Sequence, residues 1–130
     1  MAFKLGPRSL LNLRGVHPDL VRVVKRAISI SNIDFTVIEG LRSVARQREL
    51  FAKGATKTMR SRHIHGFAVD IVPYVGGSIR WDWPLFDYIE NAMKEAAKLE
   101  NIPITWGGDW VSFKDGPHWE LPHVKYPDPK

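Results

Sequence analysis

The sequence contains no cysteine among its 130 residues. Disulfide frameworks, thiolate zinc sites, iron–sulfur clusters and cysteine nucleophiles are therefore excluded. It also lacks any apolar run approaching the roughly 18 residues that indicate a transmembrane helix, so stable membrane insertion is not expected. The N-terminal stretch MAFKLGPRSLLNLRG is interrupted by charge and glycine too early for a signal-peptide core. We therefore expect synthesis in a cytoplasm without export by a conventional cleaved signal.

Common catalytic signatures are missing as well. The sequence has no HExxH, Walker A, GxGxxG or GxSxG pattern, which removes the best-known zinc-protease, nucleotide-binding and serine-hydrolase motifs. What remains is a dispersed set of histidines and carboxylates, and any metal site must be assembled from them.

The composition is that of an ordinary soluble globular protein, with 44% hydrophobic and 25% charged residues. Without a linker or an internal repeat, 1–130 is expected to form a single α+β domain, ending in a loose tail at 122–130. The predicted elements are a helix opening at His17–Asp19, a strand at Asp34–Glu39, a helix from Ser43 to about Lys53, a strand at Phe67–Val72, a long helix from Pro84, and strands at Ile102–Trp106 and His118–Leu121.

Charge is distributed unevenly along the chain. Residues 1–62 hold 13 basic and 4 acidic groups, a balance of +9, whereas residues 63–130 hold 6 basic and 10 acidic groups, a balance of −4. A basic half can attract an anionic polymer such as nucleic acid or cell wall, but the charge alone does not identify the partner.

The first candidate cluster is the segment SRHIHGFAVD. It places His63 seven residues before Asp70, which lies inside an apolar predicted strand. A carboxylate there is costly to bury unless a cation neutralises it, and a divalent metal does this well. The small residues Gly66 and Ala68 leave room for such a site.

The second cluster is DGPHWE, in which Asp115 precedes His118 across a turn. Two histidines and one carboxylate with an open fourth position form a catalytic zinc arrangement, and hard ions would need more oxygen ligands. The spacing therefore makes His63, Asp70 and His118 candidate Zn²⁺ ligands, with a surface or capping role for the histidines as the alternative. Asp115 is placed as a general base beside it.

Several nearby residues have two interpretations. His65 could replace His63 as a ligand, and Glu120 could either orient a histidine or lie exposed on its strand. Arg42 could bind an anionic substrate group or lie at the surface. His17 is expected at a helix start and His123 in the tail. The tryptophans beside the second cluster, which are Trp106, Trp110 and Trp119, are expected either in the core or in the wall of a cleft.

These segments resemble a known family. SRHIHGFAVD fits SxHxxGxAxD, and DGPHWE fits a D/E-x-x-H-x-E element. Together they resemble the VanY-like, D-alanyl-D-alanine carboxypeptidase group of zinc peptidases. GVHPDLVRVVKRAI and EGLRSVARQRELFAKG resemble its L-alanyl-D-glutamate endopeptidase branch, which includes small bacteriophage endolysins. The resemblance covers about 15–121, taken as the core of the catalytic domain.

The resemblance implies a small α+β fold, with a central antiparallel sheet flanked by about three helices. It implies zinc ligands at His63, Asp70 and His118 and a catalytic base at Asp115. It places Arg42 near the substrate carbonyl in a catalytic and substrate-binding role, and Ser61 in a substrate-binding role beside the first ligand. A structural role is implied for Gln47.

The expected activity is endolysin-like hydrolysis of the L-alanyl-D-glutamate bond in peptidoglycan stem peptides by a monomeric enzyme. The enzyme would be made in a host cytoplasm and would reach the wall after holin-type release. The alternatives are a D,D-carboxypeptidase or dipeptidase, a zinc protein that only binds wall peptides, and a basic nucleic-acid-binding module. The last leaves Asp70 unexplained, and no nucleic-acid partner is expected.

Overall fold

The computed structural model describes residues 2–56, 59 and 61–129, and all structural statements concern these residues. Their helices are α1 (Pro7–Asn12), α2 (Pro18–Ile30), α3 (Val44–Ala52) and α4 (Trp83–Glu100), with single 3₁₀ turns at Arg62–His65 and Gly107–Asp109. Their strands are β1 (Phe35–Glu39), β2 (Ala68–Val75), β3 (Ser78–Ile79), β4 (Thr105–Trp106) and β5 (His118–Glu120). The predicted α+β class is confirmed.

The strands form a central antiparallel sheet in the order β1-β2-β5-β4, with β3 folded back on the end of β2 as a hairpin. β2 is an inner strand. Its Asp70 is paired in register with Glu39 of β1 on one side and with His118 of β5 on the other. The sheet thereby brings together residues that are far apart in sequence.

The core lies between this sheet and the helices α2 and α4. Both helices bury apolar residues at i, i+3 and i+4 spacing, the pattern of a helix with one face against a core. The buried residues of the two helices are Leu20, Val23, Val24, Ala27 and Ile28 in α2 and Phe86, Ile89, Ala92, Met93, Ala96 and Ala97 in α4. They pack in one cluster with the sheet residues Val69, Ile71 and Trp119.

Helix α1 was not predicted, because its buried residue is the polar Ser9 rather than an apolar stripe. The helix attaches to β1 through side chains. Ser9 Oγ accepts the Val37 N–H at 2.9 Å, and Asn12 Nδ2 donates to the Val37 carbonyl at 2.8 Å. Gly40 follows β1, where a β-carbon would collide with the Asn12 carbonyl oxygen. Helix and strand therefore approach too closely for a side chain there.

The strand predicted at Ile102–Trp106 is shorter than expected. Asn101 ends α4 in the left-handed conformation, and the Ile102 N–H donates to the Ala97 carbonyl at 2.9 Å. Residue 102 thus completes the helix end, and Pro103 has no N–H to offer a strand. Strand pairing is left to Thr105–Trp106.

The C-terminal segment, expected to be loose, makes specific contacts with the rest of the domain. Tyr126 is half-buried, and its hydroxyl donates to Asp19 at 2.7 Å. Asp128 accepts from Arg62 at 2.6 Å. Both contacts were invisible to sequence reasoning because they join residues 66 or more positions apart.

Within the described residues, none of the helices is both long and apolar enough to cross a bilayer.

Candidate metal centre and active site

The sheet and the 3₁₀ turn before β2 bring His63, Asp70 and His118 together. One ligand-type atom from each lies within 4.8 Å of the others. Asp70 Oδ1 is 3.4 Å from His63 Nε2 and 3.5 Å from His118 Nδ1. All three residues were candidates from the sequence, and the fold places them in one cluster.

Local structure fixes the orientation of His63. Ser61 begins the 3₁₀ turn, its Oγ accepting the His63 N–H at 3.2 Å, and Gly66 ends the turn at a φ of +74°, which suits glycine. The His63 ring places Nδ1 2.9 Å from the Gly40 carbonyl oxygen. Because a carbonyl can only accept, Nδ1 carries the hydrogen, and the lone pair lies on Nε2, facing Asp70.

Glu120 orients His118 in the same way. His118 Nε2 lies 2.8 Å from Glu120 Oε1, and both side chains are buried. With the carboxylate accepting from Nε2, the His118 Nδ1 atom faces Asp70, and in the neutral ring this atom carries the lone pair. Of the two interpretations of Glu120, the structure shows the orienting contact, and the exposed strand position is wrong. Such outer partners ordinarily fix the tautomer of a metal-binding histidine.

The three residues fit a divalent metal ion. His63 Nε2 and Asp70 Oδ1 are buried and have no hydrogen-bond partner, although buried polar atoms are ordinarily paired. Tetrahedral zinc with bonds of about 2.0–2.2 Å requires ligand atoms roughly 3.3–3.6 Å apart. The observed separations of 3.4 and 3.5 Å agree with this requirement. The unpaired atoms are those that a metal would take as ligands.

The cluster is also electrostatically coupled. Burial alone would raise the pKa of Asp70, but the facing His118 and His63 outweigh it and hold that pKa well below its usual range. Burial alone would lower the pKa of His118, but Asp70 and Glu120 on either side raise it to about 9. The Asp70 carboxylate therefore stays ionised and favours a positive charge beside it, which can be a proton on His118 or a metal cation that replaces this proton.

Asp115 lies on the loop between the Gly107–Asp109 turn and β5. Its N–H donates to the Gly107 carbonyl at 3.0 Å, and its own carbonyl accepts the His118 N–H at 3.2 Å. The half-buried side chain lines the same cleft as the cluster. Burial, followed by the negative charge of Asp70, raises the pKa of Asp115. A carboxyl with a raised pKa is better suited to taking up a proton near neutral pH.

Arg42 is buried, and its guanidinium is largely committed within the protein. It makes a two-point contact with Glu39 at 2.6 and 2.7 Å, donates to Gln47 at 2.7 Å, and lies 3.4 Å from Ser61 Oγ. Its Nη2 is 3.9 Å from Asp70 Oδ2. The surface alternative for Arg42 is therefore wrong. Gln47, fully buried, has the structural position implied for it.

A cleft of about 450 Å³ opens over the cluster. Trp110 is half-buried and forms part of its wall, with its ring centre 5.2 Å from that of His118. Phe113 lines the cleft as well, exposed and at a φ of +47°, a backbone conformation that is strained for a bulky residue. Trp106 and Trp119 take the core position, which was one of their two interpretations, and stack on each other there.

The remaining histidines lie outside the cluster. His65 is exposed, and its ring lies 6.1 Å from that of Phe67, so it does not replace His63. His17 begins α2 as expected, with its Nδ1 accepting the Asp19 N–H at 3.0 Å. His123 is exposed at the edge of the cleft.

Sequence reasoning overlooked Arg62. This residue is 4% exposed and donates to the Leu121 carbonyl at 2.7 Å and to Asp128 at 2.6 Å. Its position between Ser61 and His63 was a signal, but its partners lie 59 and 66 residues further along the chain.

Comparisons with known proteins identify the family. The family model described as phage L-alanyl-D-glutamate peptidase matches residues 1–122. The chain belongs to this family. This peptidase is 37% identical over 119 residues to the L-alanyl-D-glutamate peptidase of Escherichia phage T5, covering 88% of this chain and 87% of that protein. It is 35% identical over 112 residues to the peptidoglycan L-alanyl-D-glutamate endopeptidase CwlK of Bacillus subtilis, covering 75% of this chain and 66% of that protein.

Among solved structures, the peptidase resembles the L-Ala D-Glu endopeptidase ChiX of Serratia marcescens. The TM-score is 0.92 at 46% sequence identity, over 98% of this chain and 96% of that chain. The resemblance stated from the motifs is thereby confirmed at the level of the family and the fold.

Proposed function

We propose that this peptidase is a zinc-dependent endolysin that hydrolyses the L-alanyl-D-glutamate bond of peptidoglycan stem peptides. The observation that carries the proposal is the meeting of His63, Asp70 and His118, with each histidine lone pair turned toward Asp70 by a partner on the other ring nitrogen. The names of the family and its relatives supply the bond, and the name of the Bacillus subtilis relative supplies the peptidoglycan substrate.

His63, Asp70 and His118 would hold the zinc ion. When bound, zinc supplies Lewis-acid chemistry, lowering the pKa of water toward about 7 and polarising a carbonyl group. Zinc is favoured over calcium or magnesium because two of the three candidate ligands are imidazoles and only one is a carboxylate.

Asp115 acts as the proton carrier. As water attacks the peptide carbonyl carbon, the Asp115 carboxylate takes a proton from that water. It then returns that proton to the amine nitrogen as the C–N bond breaks, which gives an L-alanine carboxyl group and a D-glutamate amine. The second proton of the water leaves when the new carboxyl group ionises and is taken up by the amine, so the products are a carboxylate and an ammonium group. Such acid–base assistance typically contributes about 10²–10⁴-fold in rate.

Arg42 and Ser61 border the cleft and contribute to substrate binding. Because Glu39 and Gln47 fix the Arg42 guanidinium, the residue acts as a preset positive charge near the reacting carbonyl rather than as a mobile arm. Ser61 is tied to the His63 turn and to Arg42, so it positions both.

The biological setting follows the same proposal. The partner is the peptidoglycan stem peptide, the active form is a monomer, and the enzyme reaches the wall after holin-type release from the host cytoplasm. Light scattering of the purified protein tests the monomer. Lysis that requires a co-expressed holin tests the release route.

The decisive experiment is digestion of purified Gram-negative peptidoglycan, with and without a chelator, followed by mass spectrometry of the fragments. We expect stem peptides that begin at D-glutamate, abolished by the chelator and restored by zinc. Loss of terminal D-alanine alone would move the protein to D,D-carboxypeptidases, and no cleavage by zinc-loaded protein would refute the proposal.

Two aspartate variants test the base within the same assay. Asp115→Asn keeps the shape of the side chain and should lower kcat by about 10²–10⁴-fold while zinc binding is retained. Asp109→Asn is the matched control, because Asp109 lies nearby but contacts Lys94 at the surface. Full activity of Asp115→Asn would show that another group carries the proton.

A further inference from the structure

The C-terminal segment reaches the candidate metal centre through one buried arginine. Arg62 donates from Nη2 to the Leu121 carbonyl at 2.7 Å and from Nη1 to Asp128 at 2.6 Å. Its Nε is buried without a hydrogen-bond partner and lies 3.8 Å from Glu120 Oε2. The guanidinium therefore lies between a carboxylate of the C-terminal segment and the carboxylate that orients His118.

The two carboxylates near Arg62 have different partners: Asp128 pairs with Arg62, and Glu120 pairs with His118. A buried guanidinium needs a compensating carboxylate, and Asp128 provides the short, charge-assisted contact. Glu120 is then left to accept from His118, with only long contacts to Arg62 and His123. Without Asp128, the nearest remaining carboxylate for Arg62 is Glu120, which would be drawn away from His118.

Arg62 also acts on the other histidine. It directly precedes His63 in the same 3₁₀ turn. Its bond to Leu121 ties that turn to the end of β5, and its bond to Asp128 ties it to the C-terminal segment. Both histidine-bearing segments are thus joined at Arg62.

We propose that Arg62 and Asp128 are positioning residues that preset His63 and His118 for metal binding. The C-terminal segment thereby contributes to the geometry of the metal centre through Asp128. The inference rests on the proposed zinc site, which the same experiment tests separately.

The test measures the zinc dissociation constant of the full chain by competition with a chromogenic chelator. Asp128→Ala should weaken zinc binding by about tenfold, the lower end of the effect of outer partners on metal affinity. Asp128→Glu should restore most of the affinity because it retains the carboxylate. Asp128 is partly exposed, so its replacement should leave the protein folded, as thermal unfolding of the metal-free variants will verify.

Tyr126→Phe is the matched control. It removes the hydrogen bond from the same segment to Asp19 without touching Arg62. If Asp128 only anchored the segment, both variants would lower the unfolding temperature and neither would change the zinc affinity. If it positions the histidines, Asp128→Ala alone weakens zinc binding. Its kcat should also fall at stoichiometric zinc and recover in excess zinc, with an unchanged KM.

The outcomes distinguish failure of the positioning role from failure of the proposed zinc site. Tight zinc binding by the wild-type protein with unchanged affinity in Asp128→Ala overturns the positioning role alone. If the wild-type protein binds no zinc, or if His118→Ala binds it equally well, the proposed metal site fails and the positioning role fails with it.

Discussion

Replacement of Gly107 by alanine should damage catalysis far more than it damages the fold. The Gly107 carbonyl accepts the N–H of Asp115 at 3.0 Å and that of Trp110 at 3.2 Å. A β-carbon at this position would collide with the Asp115 carbonyl oxygen. It would also lie 3.0 Å from both Asp115 Cβ and His118 Cβ, against an ordinary contact of 3.4–4 Å.

The size of the effect follows from these contacts. The loop carrying Asp115 would have to move by roughly 0.5–1 Å, and a 1 Å misplacement of a catalytic group can cost about 10²-fold in rate. Overpacking in a well-packed region costs about 1–3 kcal/mol of stability, partly offset because alanine restricts the unfolded chain. We therefore expect kcat/KM to fall by about 10²-fold while the protein remains folded at 25 °C.

The assay compares kcat/KM on purified peptidoglycan with the free energy of urea unfolding. Gly6→Ala is the matched control, because a β-carbon at Gly6 meets no atom within 4 Å. It should keep full activity and change stability by less than about 0.5 kcal/mol. A Gly107→Ala enzyme within threefold of wild-type kcat/KM would refute the proposed link between this loop and catalysis.

Three further outcomes are expected. Glu120→Gln should weaken zinc binding by about tenfold or more, since a neutral amide replaces the carboxylate facing His118 Nε2; an unchanged affinity in chelator competition would contradict this. Apparent zinc affinity should rise by up to about tenfold per pH unit from pH 6.5 toward about 9, because zinc must displace the proton that His118 loses near pH 9. An affinity that does not change with pH would disprove the raised pKa of His118. Ser9→Ala should cost about 1–3 kcal/mol in urea unfolding, because the buried Val37 N–H loses its acceptor; an effect no larger than that of the exposed Ser29→Ala would count against it.

The parts of the fold that could be predicted from sequence are those marked by local signals. His17-Pro18-Asp19 begins α2, and Ser43 begins α3 by accepting the Arg46 N–H at 3.0 Å. Such caps and apolar periodicities act over a few residues and are visible in the sequence. Helix α1 has Pro7 at its start but no side-chain cap and no buried apolar stripe. It is held by side-chain bonds to a strand 25 and 28 residues away.

The candidate site divides in the same way. His63, Asp70 and His118 were identifiable from residue type and spacing, whereas Glu120 kept two interpretations until the fold placed it beside His118. Arg62 was missed because a buried arginine and a surface arginine look alike in a sequence with 19 basic residues. Which distant residues contact Glu120 and Arg62 depends on the assembled sheet and on the path of the chain after β5, and neither is visible in a local stretch of sequence.

The short helix α1 has a consequence for how these molecules meet one another. An outer strand with unpaired N–H and carbonyl groups is a template onto which another chain can add, and this is a common route to aggregation. In β1, the outward-facing groups of Val37 are already taken by Ser9 and Asn12. At the opposite side of the sheet, β4 is two residues long and offers little to pair with. Both edges of the sheet therefore offer fewer free backbone groups to another chain than a long, uncovered edge strand would, which disfavours edge-to-edge association.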